Sequence, residues 1–278
     1  MAIEAGSVDD CRFVDEYEEA LLINRNIVDT SEPWPEDVRL YQPYETEQIL
    51  INDIAASLTV KAFMKMCGLQ IQVEMRGNAE DMSPNGKLPF IKCGQFVIAD
   101  LDPIVSFVFS KGISLTDHLD ASQKADMRAY MSLVNNILGN AELYVSWLDN
   151  STFTEITKPR YGSVYPWPLK HVLTWQKQRQ IKKRLTAFGW AQKSLDEVYN
   201  EVDNCCHALS ERLGNKKFFF NDRPTELDAL VFGHVFTLLT TSMPENSLAS
   251  IVRSHSGLIA LVKTIEDRYF KDPEVTRT

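Results

Sequence analysis

The chain has 278 residues, is 44% hydrophobic and 24% charged, and carries a formal net charge of −9. Its ordinary apolar share, with 12 glycines and 12 prolines, excludes a collagen-like or low-complexity chain, and its length accommodates two modest domains or one large one. An acidic balance disfavours a duplex nucleic-acid binder, and five cysteines without a C-x-x-C spacing argue against a disulfide framework or a structural zinc site.

In chain order, residues 1–37 read as an acidic leader. Residues 1–36 hold ten acids against Arg12 and Arg25, a net −8, so the remainder sums to −1. No basic segment followed by an apolar stretch opens the chain, so no cleavable targeting sequence is expected. Pro33 and Pro35 stiffen the end of the leader, and Trp34 is expected to dock on the body.

An α/β pattern follows over 38–115. Val38–Tyr41 predicts a strand. Ala55–Cys67 predicts a helix, with Leu58, Ala62, Phe63 and Met66 on one face and Gly68 as its stop. Ile71, Val73 and Met75 alternate with polar residues and predict a second strand. Ser83-Pro84-Asn85-Gly86 is a turn. Leu88–Ile91 and Phe96–Ile98 predict a hairpin around Lys92–Gln95. Leu101–Ser110 predicts a helix with Pro103 in its first turn, where a missing N–H costs little.

Residues 120–270 read as helical only, and 271–278 as a polar tail. Ser122–Leu148 carries the stripe Met127, Tyr130, Met131, Val134, Ile137, Leu138, Ala141, Tyr144 and Leu148, a core face. Residues 158–168, with Pro159, Gly162, Pro166 and Pro168, predict a loop. His171–Trp190 is a basic helix. Ser194 and Glu197 predict a capping box at the start of the next helix. Thr225–Thr241 and Asn246–Tyr269 are the last two helices. The longest late uncharged run, 229–244, is 16 residues, short of the roughly 20 a spanning helix needs. His234 within it reads as a satisfied core residue, and Cys205-Cys206 as small apolar filling.

Two constellations carry the fold. Pro89 heads a strand after a polar turn, where it need donate no ladder hydrogen bond. Thr225 and Asp228 can cap the following helix reciprocally, a structural role. In this order they resemble the glutathione-transferase fold over about 38–270: a thioredoxin-like α/β domain, with Pro89 as its cis-proline, followed by an all-α domain. That resemblance implies a ligand pocket with Ser57, Leu88, Pro89, Asp100 and Leu101 as candidates. Transferases of this fold hold the glutathione γ-glutamyl group with an acidic or amide residue followed by Ser or Thr. Here the pair is Asp100-Leu101, and Leu101 has no hydroxyl, so the pocket reads as vestigial. Tyr41, Tyr44 and Ser57 are the local candidates for an activating hydroxyl. Glu45, Glu47 and Asp53 beside them would raise a nearby hydroxyl or thiol pKa. No phosphate-binding glycine loop, H-E-x-x-H or G-x-S-x-G motif is present.

Six stretches resemble the metaxin family more specifically, and its metaxin two branch most. They are EPWPE (32–36), EQILINDIAASL (47–58), NAEDMSPNGKLPFI (78–91), AYMSLVNN (129–136), RYGSVYPWPL (160–169) and PTELDALVFGH (224–234). The resemblance implies a peripheral protein on the cytosolic face of the mitochondrial outer membrane, acting in protein import and β-barrel assembly and linked to mitochondrial transport. It implies as partners a membrane-anchored metaxin one type subunit, the β-barrel assembly channel and transport adaptors. No cofactor, metal, catalytic residue, spanning segment or nucleic acid is implied. The competing class is a glutathione-dependent transferase.

From Ile156 to Leu195 there are nine bases and no acid. Lys177, Arg179, Lys182, Lys183 and Arg184, with Trp167 and Trp175, are candidate interface residues. The readings are a face toward an anionic membrane or an acidic partner, against a solvated helix face. The acidic leader is a further candidate to fold over this segment.

Overall fold

The computed structural model describes residues 34–35 and 37–271. The leader to residue 33 and the tail from 272 lie outside them. Four strands form one sheet: β1 (Arg39–Gln42), β2 (Gln72–Met75), β3 (Phe90–Cys93) and β4 (Phe96–Ala99), in the order β2-β1-β3-β4. β1 and β2 are parallel, so a crossover must join them, and α1 (Ile51–Met66) does so. The other two pairings are antiparallel. α1 begins four residues before the predicted start, because Leu50 at its cap position makes no side-chain cap bond and leaves no capping signal in the sequence. Cys93 pairs with Phe96. The hairpin loop is therefore Gly94-Gln95 alone, and Lys92 and Cys93 extend the ladder. Gly94 supplies the positive φ (58°) this tight reversal uses. A one-turn helix, α2 (Ala79–Met82), precedes the predicted turn at Ser83–Gly86. α3 (Leu101–Ser110) matches its predicted span. Trp34 docks as expected, edge-on to Phe107 with ring centroids 6.0 Å apart.

The rest is helical. α4 (Ala121–Val134) runs through a π turn, Asn135–Gly139, into α5 (Asn140–Trp147), so the predicted single helix carries a bulge. Of its stripe, Met127, Met131, Val134, Leu138 and Ala141 are buried, and Tyr130, Ile137, Tyr144 and Leu148 are partly buried against the same core. The predicted loop at 158–168 is corrected. α6 (Asn150–Thr152), a π turn over Phe153–Thr157 and α7 (Lys158–Gly162) form a continuous helical stretch, and only 163–168 is loop. The π turn shifts the hydrogen-bond frame just ahead of Pro159, which has no N–H to donate. α8 (Leu169–Ala187) is the basic helix and α9 (Leu195–Leu213) follows the Ser194–Glu197 capping box. α10 (Glu226–Thr240) comes next. The predicted last helix is two, α11 (Ser247–Ser254) and α12 (Ser256–Tyr269), bent by 94°. His255 is the junction residue, and its Nε2 lies 2.9 Å from Asp203 Oδ1 on α9.

One apolar core runs through both parts, joining Leu40, Phe63 and Ile104 to Leu138, Leu209, Phe232 and Val262. Among the described residues no single helix is long and apolar enough to cross a membrane. The α11–α12 pair reaches that length and apolarity only when taken together, and Leu248, Val252, Leu258, Leu261 and Ile265 on it are buried in the core.

Candidate functional site

Of the five residues expected at the ligand pocket, Ser57, Pro89 and Leu101 are buried and Leu88 and Asp100 are half-buried. The Leu88–Pro89 bond is cis, as the fold resemblance implies. Leu88 joins a small apolar cluster with Tyr41, Phe90 and Ala99, in which Tyr41 stacks on Phe90 with centroids 4.8 Å apart. Asp100 is the N-cap of α3, with φ at 80°, and its Oδ1 accepts from the Leu101 N–H at 3.0 Å. Its other oxygen is paired with Lys87 Nζ. Leu101 is buried in the core. Ser57 lies on α1 with its Oγ sealed from solvent and without a hydrogen-bond partner among the described residues. Of the three hydroxyls considered for activation, Ser57 and Tyr41 are buried and only Tyr44 is exposed. Asp100 is thus matched by a lysine and has no hydroxyl neighbour at 101, and of the candidate hydroxyls only that of Ser57 is sealed from solvent without a partner among the described residues. A depression of about 260 Å³ lies at Asp37, Arg39, Tyr41, Lys92 and Gly94, and none of the five candidate pocket residues lines it.

The sheet and the helices are tied by polar groups that sequence patterning does not reveal. Glu80 on α2 pairs with Lys177 on α8. Burial, together with the nearby Glu80 carboxylate, pushes the Tyr161 hydroxyl pKa up. Arg160 donates to the Ile49 carbonyl at 3.1 Å. Asp53 on α1 belongs to the same junction. Its pKa is raised to about 7 by burial first and then by the nearby Glu80 carboxylate, against the pull of Lys177 and the Asn52 hydrogen bond. α10 crosses α1 at Gly233, where a Cβ would stand 2.1 Å from Thr59 Oγ1 and 2.5 Å from the Ala55 carbonyl oxygen.

The capping residues take the place expected of them. Thr225 and Asp228 close a capping box. The Asp228 carboxylate accepts from the Thr225 N–H and hydroxyl, both at 2.8 Å, and from the Phe219 N–H at 3.0 Å. It thereby pins the Phe218–Phe220 segment to the helix start. His234 is satisfied by Glu142, with Nδ1 2.8 Å from Oε1 and both residues buried. Cys205 and Cys206 are buried, and burial pushes each thiol up to about 12, which suits filling and not redox chemistry.

The basic segment divides in space. Lys177 points inward to Glu80 and leaves the candidate interface set. Arg179, Lys182, Lys183 and Arg184 are exposed and make no ion pair among the described residues. Trp167 is 77% exposed and Trp175 57%, with Leu169 and Val172 exposed beside them. The Arg179 guanidinium lies 5.6 Å from the Trp175 ring centroid. On a helix, Val172, Trp175, Arg179, Lys182 and Lys183 fall in one sector, opposite the buried Thr174, Ile181 and Leu185.

Residues 57–178 match the family model described as outer mitochondrial membrane transport complex protein, and 202–265 match the glutathione S-transferase C-terminal domain. Among solved structures, the chain is similar to a beta-etherase from Sphingobium (17% identity, TM-score 0.53, covering 83% of this chain and 95% of the other). It is also similar to a glutathione S-transferase III in apo form (15% identity, TM-score 0.50, covering 84% and 92%). At these identities the likeness shows the fold alone. Human Metaxin-2 is 55% identical over 87% of this chain and 92% of its own length. The Metaxin-2 homolog of Caenorhabditis elegans is 42% identical over 77% and 92%. Mouse Metaxin-1 is 32% identical over 77% of this chain and 69% of its own length. On these matches, the chain belongs to the metaxin family.

Proposed function

We propose that the chain is a non-enzymatic adaptor subunit of the protein-import machinery of the outer mitochondrial membrane. It sits on the cytosolic face, peripherally, and serves β-barrel assembly beside a membrane-anchored metaxin one type subunit. The matches to the family of outer mitochondrial membrane transport complex proteins and to the metaxins support the setting. The observation that carries the non-enzymatic reading is the Lys87–Asp100 pair beside Leu101. The Asp100 carboxylate, the group expected to meet a γ-glutamyl ammonium, is already paired with Lys87, and the neighbouring hydroxyl that would add about 1.5–3 kcal/mol of charge-assisted hydrogen bonding is missing.

The test is a paired one. The full chain is expected to pass through immobilised glutathione, to turn over no generic electrophile, and to co-purify with the anchored subunit from outer membranes. Retention with turnover establishes the transferase reading instead.

A further inference from the structure

We propose that the exposed stripe of α8, with Trp167 ahead of it, is a docking face for an anionic phospholipid surface. The proposal extends the reading above by naming the face and the chemistry it meets.

The stripe is graded along the helix. Its N-terminal end presents Trp167, Leu169, Val172 and Trp175, four large apolar side chains each at least 43% exposed. Its C-terminal end presents Arg179, Lys182 and Lys183. From Val172 to Lys183 the stripe runs about 16 Å, at 1.5 Å per residue. α8 contains no acid along its whole length.

Two kinds of surface match the charge. An acidic protein patch would satisfy the bases but leave the two tryptophans and their aliphatic neighbours without an apolar counterpart. The headgroup zone of a bilayer supplies both. Phosphates lie at the level of the bases, and acyl chains lie just beneath for groups that enter shallowly. Tryptophan partitions to that zone because its ring is apolar and its N–H is polar. Arg and Lys stems lie along apolar surface while their heads stay hydrated. The Arg179–Trp175 contact holds one such pair side by side. Lys177 is excluded from the face because it is used inside, against Glu80. The same helix is thus anchored to the body by one base and presents the others outward.

The experiment is co-sedimentation of the full chain, at low ionic strength, with phosphatidylcholine vesicles that contain or lack phosphatidylinositol. Binding is expected only to the anionic vesicles and is expected to fall as salt rises. The triple variant Arg179→Glu, Lys182→Glu, Lys183→Glu should lower partitioning roughly 100-fold, and Trp167→Ala with Trp175→Ala about tenfold or more. A charge-matched control, Lys216→Glu, Arg223→Glu, Lys263→Glu, should bind as the parent does, with circular dichroism showing each variant folded. Equal binding to neutral vesicles overturns the proposal, as does an unchanged triple variant. So does binding to soluble polyglutamate without binding to anionic vesicles, which assigns the face to an acidic protein. Failure here leaves co-purification with the anchored subunit intact, so the two readings fail separately.

Discussion

Gly233 on α10 lies so close to Thr59 on α1 that a Cβ there would stand 2.1 Å from the Thr59 Oγ1 and 2.8 Å from its backbone nitrogen. That contact sets how near the helical part approaches the helix that backs the sheet. Gly233→Ala should therefore destabilise the chain by about 3 kcal/mol, the upper end for overpacking, because backbone as well as side chain must move. Urea unfolding reads this. Thr59→Ala in the same background should restore only part of the loss, since the Ala55 carbonyl oxygen at 2.5 Å remains in the way. Full rescue would show that the side chain alone sets the approach.

The capping box predicts an unequal pair of losses. Thr225→Ala should cost about 1 kcal/mol, the usual value for a cap. Asp228→Ala should cost about 3 kcal/mol, because it strands three buried donors, including the Phe219 N–H. Equal losses in denaturant melts would mean that Asp228 does not hold the Phe218–Phe220 segment.

The Asp53 carboxyl makes stability depend on pH with a definite sign. Its pKa rises from 3.8 to about 7 on folding, because burial and Glu80 oppose its charge. The folded state then binds the proton more tightly than the unfolded state does, so this contribution is complete below about pH 4 and is lost as pH rises toward 7. Asp53→Asn should raise stability near pH 7 by about 1–2 kcal/mol, discounted for the group's partial exposure, and change little at pH 4. Melting temperatures across that range test it. Removing Lys177, which opposes the shift, should steepen the pH dependence in the parent chain.

Lys87→Ala should cost less than about 1 kcal/mol, because the ion pair with Asp100 is roughly half exposed at both ends. Freed of Lys87, Asp100 still lacks a hydroxyl neighbour, so glutathione should not shift the melting temperature of this variant. A glutathione-dependent shift would show that the lysine alone closes the site.

What the sequence determined by itself was whatever depends on short-range periodicity and on fixed motifs. The α3 span, the Thr225–Asp228 and Ser194–Glu197 boxes, the strand-entry position of Pro89 and the apolar stripe through Leu138 each follow from residues within a few positions of one another, while the cis bond at Pro89 came from the fold resemblance. The family was legible for the same reason, since its matching stretches are contiguous. What only the tertiary structure decided rests on groups far apart in the chain. Lys177 looked like one of a run of free bases, yet it finds Glu80 almost a hundred residues away. The break at His255 lies in the polar stretch Arg253–Gly257, and its 94° bend and the His255 contact with Asp203 on another helix appear only in the fold. Pro159 looked like a loop residue, yet it stands in the first turn of α7, where a missing N–H costs little. Gly233 looked like any small residue in an apolar helix, and only the crossing of α10 over α1 gives it a role. Periodicity records which face of an element is apolar, but the partner on the other side of that face, and the distance to it, exist only once the chain has folded.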